Sequence, residues 1–365
     1  MINKKIPWWE PEIKELEKKM VLDVLNSNYI NEGEVAAKFE EELKEILGVK
    51  YAIVTTSGTT AIFLALKSLG IGHGDEVIVP DMTFIATANA VDLCGAKPIL
   101  VDVEPEKINI SIDAIKKTIN KKTKAIMPVH VTGRAANMDS ILQIARNHNL
   151  FVVEDAAEAF TSKYKGRNLG TIGDLGCFSF SPNKTITTGQ GGAVVTNNEE
   201  LATKIKKLKD QGRPVRGTGG DDIYDSIGYN FKFTNLQAAL GLGQLNYLKT
   251  RTERMKRIYQ IYSENLADIK NLKIYPSEKG EVPQWTDAFT DKRNELIAHL
   301  TSKNMGSRKY WHPLHTQLAY KLPDINFPNS LDISLKSLWL PSAFTLTDED
   351  ILQVCYEIKK FFKIK

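Results

Sequence analysis

Between residues 51 and 195 the chain repeats one pattern: a short apolar run rich in β-branched residues, a polar break, then a stretch with helical spacing of its apolar positions. The runs are 51–54, 76–79, 98–101, 125–129, 151–153, 177–180 and 193–195. Being apolar throughout, they read as strands buried on both faces. Helical spacing appears at 61–69 and 138–148. Strand–helix alternation of this length predicts an α/β domain with a mostly parallel, seven-stranded sheet. Ligands of such sheets lie beyond the carboxyl ends of the strands. After residue 245 the texture changes. Residues 248–266 read as a charged amphipathic connector helix, 294–302 and 348–362 as helices, and 287–289 and 310–312 as strands. The pattern divides the chain into a large α/β domain, 31–245, and a small α+β domain made of 246–365 with the first thirty residues, whose helix-like segment is 12–26.

Composition narrows the class. Of 365 residues, 42% are apolar and 25% charged, and the net charge of +4 is spread as mixed signs. That leaves no basic footprint for nucleic acid. No apolar run reaches membrane-spanning length, and the start lacks a leader pattern, so no membrane partner is expected. Cys94, Cys177 and Cys355 have no metal-ligand spacing. They read as reduced thiols of a cytoplasmic protein, and no metal site is expected.

Three segments carry the candidate chemistry. Lys184 lies in Cys177-Phe178-Ser179-Phe180-Ser181-Pro182-Asn183-Lys184, after one apolar run, and Asp155 ends another in Glu154-Asp155-Ala156-Ala157-Glu158. A lysine and an acid so placed suit an aldehyde cofactor: the amine forms an imine and the acid pairs with a ring nitrogen, which points to pyridoxal 5′-phosphate (PLP). Ser57-Gly58-Thr59-Thr60 lies between a strand and a helix, where free N–H groups and the hydroxyls of Ser57, Thr59 or Thr60 suit a phosphate. Each segment has a plainer alternative. Ser57 is also a good helix cap, Asp155 a helix-capping acid, and Lys184 a surface charge. Glu158, one turn on if a helix starts there, reaches the ring hydroxyl or faces solvent. Gly189, Gly191 and Gly192 precede a strand rather than a helix, which argues against a dinucleotide fingerprint.

Five motifs in order tie these pieces together: Ser57-Gly58-Thr59-Thr60-Ala61, residues 74–80 with Thr83-Phe84, Glu154 to Ala159, Ser179 to Gly192, and Gly228 to Ala239. With them the chain resembles the DegT/DnrJ/EryC1/StrS sugar-nucleotide aminotransferases, which have the aspartate-aminotransferase fold of PLP enzymes. The resemblance implies roles. Lys184 binds the cofactor and moves the proton, Asp155 holds the pyridinium, and Phe84 stacks on the ring. Gly58, Thr59 and Ser179 bind the phosphate, and Asn230 reaches the phosphate of the neighbouring subunit, implying a homodimer with shared sites. Asn31, in the opening Tyr29 to Gly33 motif, and His315 face the substrate, although a packed structural histidine suits His315 equally. L-Glutamate gives its amino group to the cofactor and a nucleotide-linked keto-sugar receives it. The segment Thr185 to Gly192 looks like that of members acting at sugar C4. Gly133-Arg134, Met138-Asp139 and Trp311 to His315 are similar to the perosamine-forming members that aminate GDP-4-keto-6-deoxymannose, although Thr132 stands where these often have tyrosine. Nucleotide contacts are expected on 212–223 and around Arg308. A UDP- or dTDP-keto-sugar is the alternative acceptor. Dehydratases and regulators of this fold are the alternative classes; they replace the lysine, which Lys184 argues against.

Overall fold

The computed structural model describes residues 4–105, 107–214 and 224–364. Its main sheet has seven strands: β1 (Tyr51–Thr55), β2 (Glu76–Pro80), β3 (Lys97–Val101), β4 (Thr123–Ile126), β5 (Phe151–Asp155), β8 (Leu175–Ser179) and β9 (Gly192–Thr196); a short hairpin, β6 (Lys163–Tyr164) and β7 (Arg167–Asn168), stands apart. The order is β1-β9-β8-β5-β4-β2-β3, and only β9 runs against its neighbours. The other six strands therefore end on one edge. That edge collects the segments after Thr55, Pro80, Ile126, Asp155 and Ser179, together with the start of β9 at Gly192.

Both faces of this sheet are covered, as the continuous apolar runs require. One face packs Phe39, Leu43, Ile126, Val152, Phe178 and Phe180; the other packs Ile53, Leu64, Val77, Val79, Val153 and Val194. The helix Gly58–Ser68 starts at a capping box in which the Ser57 hydroxyl accepts the Thr60 N–H and the Thr60 side chain returns to the Ser57 N–H. Helix Met138–His148 follows the periodicity of the sequence and ends at Asn149 in the left-handed conformation.

The second unit is a four-stranded antiparallel sheet, β10 (Lys273–Ile274), β11 (Asp287–Phe289), β13 (Ser337–Trp339) and β12 (Arg308–Lys309), with helices Leu248–Asn265, Arg293–Ser302 and Asp348–Phe361. Its edge strand sits at Arg308–Lys309 rather than at 310–312. Tyr310 still donates its N–H to Ser337, but Pro313 and the turn at Leu314–Thr316 take the chain away from the ladder. Residues 4–30 divide between the units. Ile6 pairs with Met305 and Trp8 stacks near Trp285 and Trp339, whereas helix Glu15–Ser27 lies against helix Asn235–Leu245. A cluster of Met82, Val129, Tyr275, Trp285, Tyr310 and Trp339 joins the carboxyl edge of the large sheet to the small one. Among the described residues no helix is long and apolar enough to cross a membrane, and no group of three or more His, Cys, Asp or Glu is placed to hold a metal ion.

Candidate active site

At the carboxyl edge lies a cavity of ≈ 290 Å³ whose wall includes Gly58, Thr59, Phe84, Asp155, Glu158, Ser179 and Lys184. Seven residues named from sequence for cofactor binding or catalysis thus meet at one place, brought from four different strand ends.

The end of the cavity at the start of helix Gly58–Ser68 comes from close approach of backbone to backbone. A Cβ on Gly58 would stand 2.8 Å from Cβ of Ser179, and one on Gly192 would collide with the Ser57 carbonyl. Only glycine lets the helix start, the end of β8 and the start of β9 converge. The first turn of helix Gly58–Ser68 faces the gap with Thr59, while the Ser179 hydroxyl sits 3.0 Å from that of Ser181. The Thr60 hydroxyl turns away into the cap, bonded to Ser57. Free N–H groups at a helix start beside two serines suit a phosphate dianion.

Asp155 is 5% exposed and ends β5. Its Oδ2 accepts the Thr87 hydroxyl at 2.8 Å, and Oδ1 accepts the Ala157 N–H at 3.1 Å. Thr83 supports Thr87 at 2.9 Å. Burial pushes the Asp155 carboxyl above the usual range, opposed by the Thr87 and Ala157 bonds and by the charge of Lys184. Among the described residues no lysine or arginine forms an ion pair with Asp155. A buried carboxylate lacking a bonded cation at a cavity wall suits a cationic partner such as a protonated ring nitrogen. No helix follows Asp155, so the capping role is not taken up. The chain turns instead, and Glu158 enters the cavity from that turn.

Lys184 lies in the loop between β8 and β9, its side chain 12% exposed and its Nζ 3.1 Å from Glu158 Oε1. It is not a surface charge. The loop is held from three sides. Gln284 donates to the Asn183 carbonyl and accepts the Thr185 hydroxyl, Gln244 accepts the Thr187 N–H at 3.2 Å, and Trp9 donates to the Pro182 carbonyl at 3.1 Å. Trp285 lies beneath Lys184, with the ring centre 5.5 Å from Nζ. Burial also raises the Glu158 carboxyl, opposed first by Lys184 and then by the Thr132 N–H.

Phe84 is 54% exposed and, with Val129, gives the cavity wall apolar surface. Arg308, Trp285 and Trp311 complete the wall on the side of the second unit. The other sequence-named residues lie elsewhere. Asn230 is exposed and pairs with Asp210, and Asn31 is exposed with its carbonyl accepting the Asn235 N–H; neither lines this cavity. His315 is fully buried, with Nδ1 2.6 Å from Asp81 Oδ2 and its ring stacked on Phe327. Residues 215–223, part of the stretch expected to meet the nucleotide, lie outside the described residues. Sequence reasoning missed Thr87, Trp285 and Val129. A hint existed for Thr87, which follows Thr83 by four residues, the spacing that puts two hydroxyls on one helical face.

Residues 11–359 match the model of the DegT/DnrJ/EryC1/StrS aminotransferase family. The chain belongs to that family. GDP-perosamine synthase of Escherichia coli O157:H7 is 39% identical over 366 residues, covering 99% of this chain and 100% of the relative. Among solved structures, DesV of S. venezuelae in complex with a ketimine intermediate superposes with a TM-score of 0.91 at 30% identity, over 96% of this chain and 95% of the other. The PLP form of the putative sugar aminotransferase Spr1654 of Streptococcus pneumoniae gives 0.93 at 26% identity, over 99% of each chain. This family member is therefore a PLP-dependent sugar aminotransferase with the fold of those enzymes.

Proposed function

We propose that this aminotransferase moves the amino group of L-glutamate to C4 of GDP-4-keto-6-deoxymannose, giving a GDP-perosamine-like product. The observation that carries the choice of sugar is the end-to-end likeness to GDP-perosamine synthase. The Thr185 to Gly192 segment supports amination at C4.

When bound, PLP supplies an electron sink for the substrate carbon beside the amino group. The residues of this chain do the rest. Asp155, buried and fixed by Thr87, holds the ring nitrogen and favours its protonated form. Phe84 and Val129 bound the slot for the ring, and Gly58, Thr59 and Ser179 hold the phosphate. Lys184 Nζ, held beside Glu158, would take a proton from the amino-donor carbon and later return one to the sugar carbon. One base on one face serves both half-reactions. Trp285, Trp311 and Arg308, which line the cavity on the side of the second unit, would exclude water and meet the sugar nucleotide. Asn230, exposed and away from the cavity of its own chain, serves the phosphate of a second subunit in a two-fold dimer. Asn31 and His315 belong to the substrate side of the proposal, His315 by fixing the segment that carries Trp311. Three free, buried cysteines suit cytoplasmic residence. The product suits a surface polysaccharide such as a lipopolysaccharide O-antigen.

The test is incubation of the PLP-loaded protein with glutamate and, separately, GDP-, UDP- and dTDP-linked 4-keto- and 3-keto-6-deoxysugars. Amination of the GDP-4-keto sugar at a kcat/KM well above the others is expected. Preference for a UDP- or dTDP-linked sugar, or for a 3-keto sugar, overturns the proposal.

A further inference from the structure

Thr132 has backbone angles φ 50 and ψ 29, the left-handed region, although it is β-branched and not glycine. Threonine is disfavoured there, and such strain persists only where surrounding contacts over-determine it. The contacts are present. The Thr132 N–H donates to Glu158 Oε2 at 3.0 Å, its hydroxyl donates to Asp287 Oδ2 at 2.9 Å, and its carbonyl accepts the Gln284 N–H at 2.9 Å. Arg134, fully buried, bonds both the Thr132 hydroxyl and Asp287, and Tyr310 donates to Asp287 at 2.6 Å. Gly133 follows at φ 90, where a Cβ would collide with the Val282 carbonyl.

These bonds close a circuit through the active site. From Thr132 N–H it passes to the Glu158 carboxylate, then over 3.1 Å to Lys184 Nζ. From the lysine loop it returns through Asn183 and Thr185 to the Gln284 side chain, and from the Gln284 N–H back to the Thr132 carbonyl. The separation between the acid and the amine is thus set at one turn that the second unit grips through Asp287.

We infer that Thr132 is a positioning residue for amino transfer: its left-handed turn, locked by the hydroxyl bond to Asp287, aims Glu158 at the Lys184 amine. The inference rests on the amino-transfer reading above. It makes the turn geometry, rather than the hydroxyl itself, the carrier of the effect. Glycine enters the left-handed region freely, alanine less so, and valine least. Valine keeps the shape of threonine but loses the bond that holds the turn.

The experiment compares Thr132→Ser, Thr132→Gly, Thr132→Ala and Thr132→Val as PLP-loaded full-length enzymes. It measures kcat, KM for glutamate, and the induced circular dichroism of the visible cofactor band. Thr132→Val is expected to lower kcat by about 10- to 100-fold, the size of an ångström-scale misplacement, with KM changed less than about twofold and the dichroism reduced. Thr132→Ser and Thr132→Gly stay within about threefold of the parent, because both keep the turn. In the Glu158→Gln background, Thr132→Val adds little, since the aimed carboxylate is already gone. Thr132→Val at the parental rate and dichroism overturns the inference; so does Thr132→Gly as slow as Thr132→Val. If the valine protein does not fold, alanine against glycine makes the same comparison, and equal rates overturn it. A parent protein that takes up PLP but transfers no amino group defeats the amino-transfer reading instead.

Discussion

Lys184, Asp155 and Glu158 occupy one small volume yet meet different constraints. Asp155 and Glu158 are both buried and both pushed above the ordinary carboxylate range by that burial, so the folded protein without cofactor binds protons there more tightly than the unfolded chain. By linkage, their stabilising contribution is present at acid pH and is lost as pH rises from the ordinary carboxylate range through the raised values. The cofactor-free protein is therefore expected to lose melting temperature over that rise. Asp155→Asn should flatten the loss while abolishing most activity, and a differential-scanning pH series checks both. Lys184→Ala should remove the visible band and slow transfer by about 10²- to 10⁴-fold or more, the range of a lost proton-transfer group. These residues were legible from sequence because each ends or follows an apolar run and its chemistry is specific. Thr87 and Trp285 were not, because each matters only through a contact 68 or 101 residues away along the chain. His315 shows the opposite limit. The sequence left it between a sugar contact and a packed side chain, and the structure buries it on Asp81 and Phe327.

At the scale of elements, the site is a product of strand direction. Six strands end on one edge, and β9 returns antiparallel so that its glycine start meets Ser57 and Ser179. Gly58→Ala should cost about 1–3 kcal/mol by overpacking against Ser179 and should also weaken PLP retention. Chemical denaturation and a PLP binding titration measure the two effects. Ser57→Ala removes a helix cap and should cost about 1 kcal/mol, checked by the same denaturation. The seven sheet strands were readable because burial on both faces makes them continuous apolar runs. The two-residue strands Lys273–Ile274 and Arg308–Lys309 were not, since two residues carry no period, and the aromatic run at 310–312 drew the strand forward. Glu158 reached the cavity by a turn where the spacing suggested a helix; the route differed but the destination did not depend on it.

Over the whole molecule, an aromatic cluster fixes the second unit against the strand ends, and that unit supplies Trp285, Arg308 and Trp311 to the cavity. The family was legible from motifs spread over nearly the full chain, several of which bring residues to the cavity wall: Ser57 to Thr59, Thr83 and Phe84, Asp155 to Glu158, and Ser179 to Gln190. Where the N-terminal residues pack was not, because Trp8 and helix Glu15–Ser27 choose different neighbours through tertiary contacts alone. If Asn230 acts across a dimer, inactive Lys184→Ala and Asn230→Ala proteins should regain activity when refolded together. Random pairing would leave about a quarter of the sites native. No recovery, with mixed dimers confirmed by mass, would contradict sharing. The central claim is that Lys184 and Asp155 form one PLP site which passes an amino group from glutamate to a keto-sugar, and a single spectral titration tests it most directly. Protein loaded with PLP should lose its visible band on addition of glutamate and regain it on addition of GDP-4-keto-6-deoxymannose, with one amino sugar formed per site. A protein that binds no PLP, or whose band is unchanged by glutamate, would contradict the account.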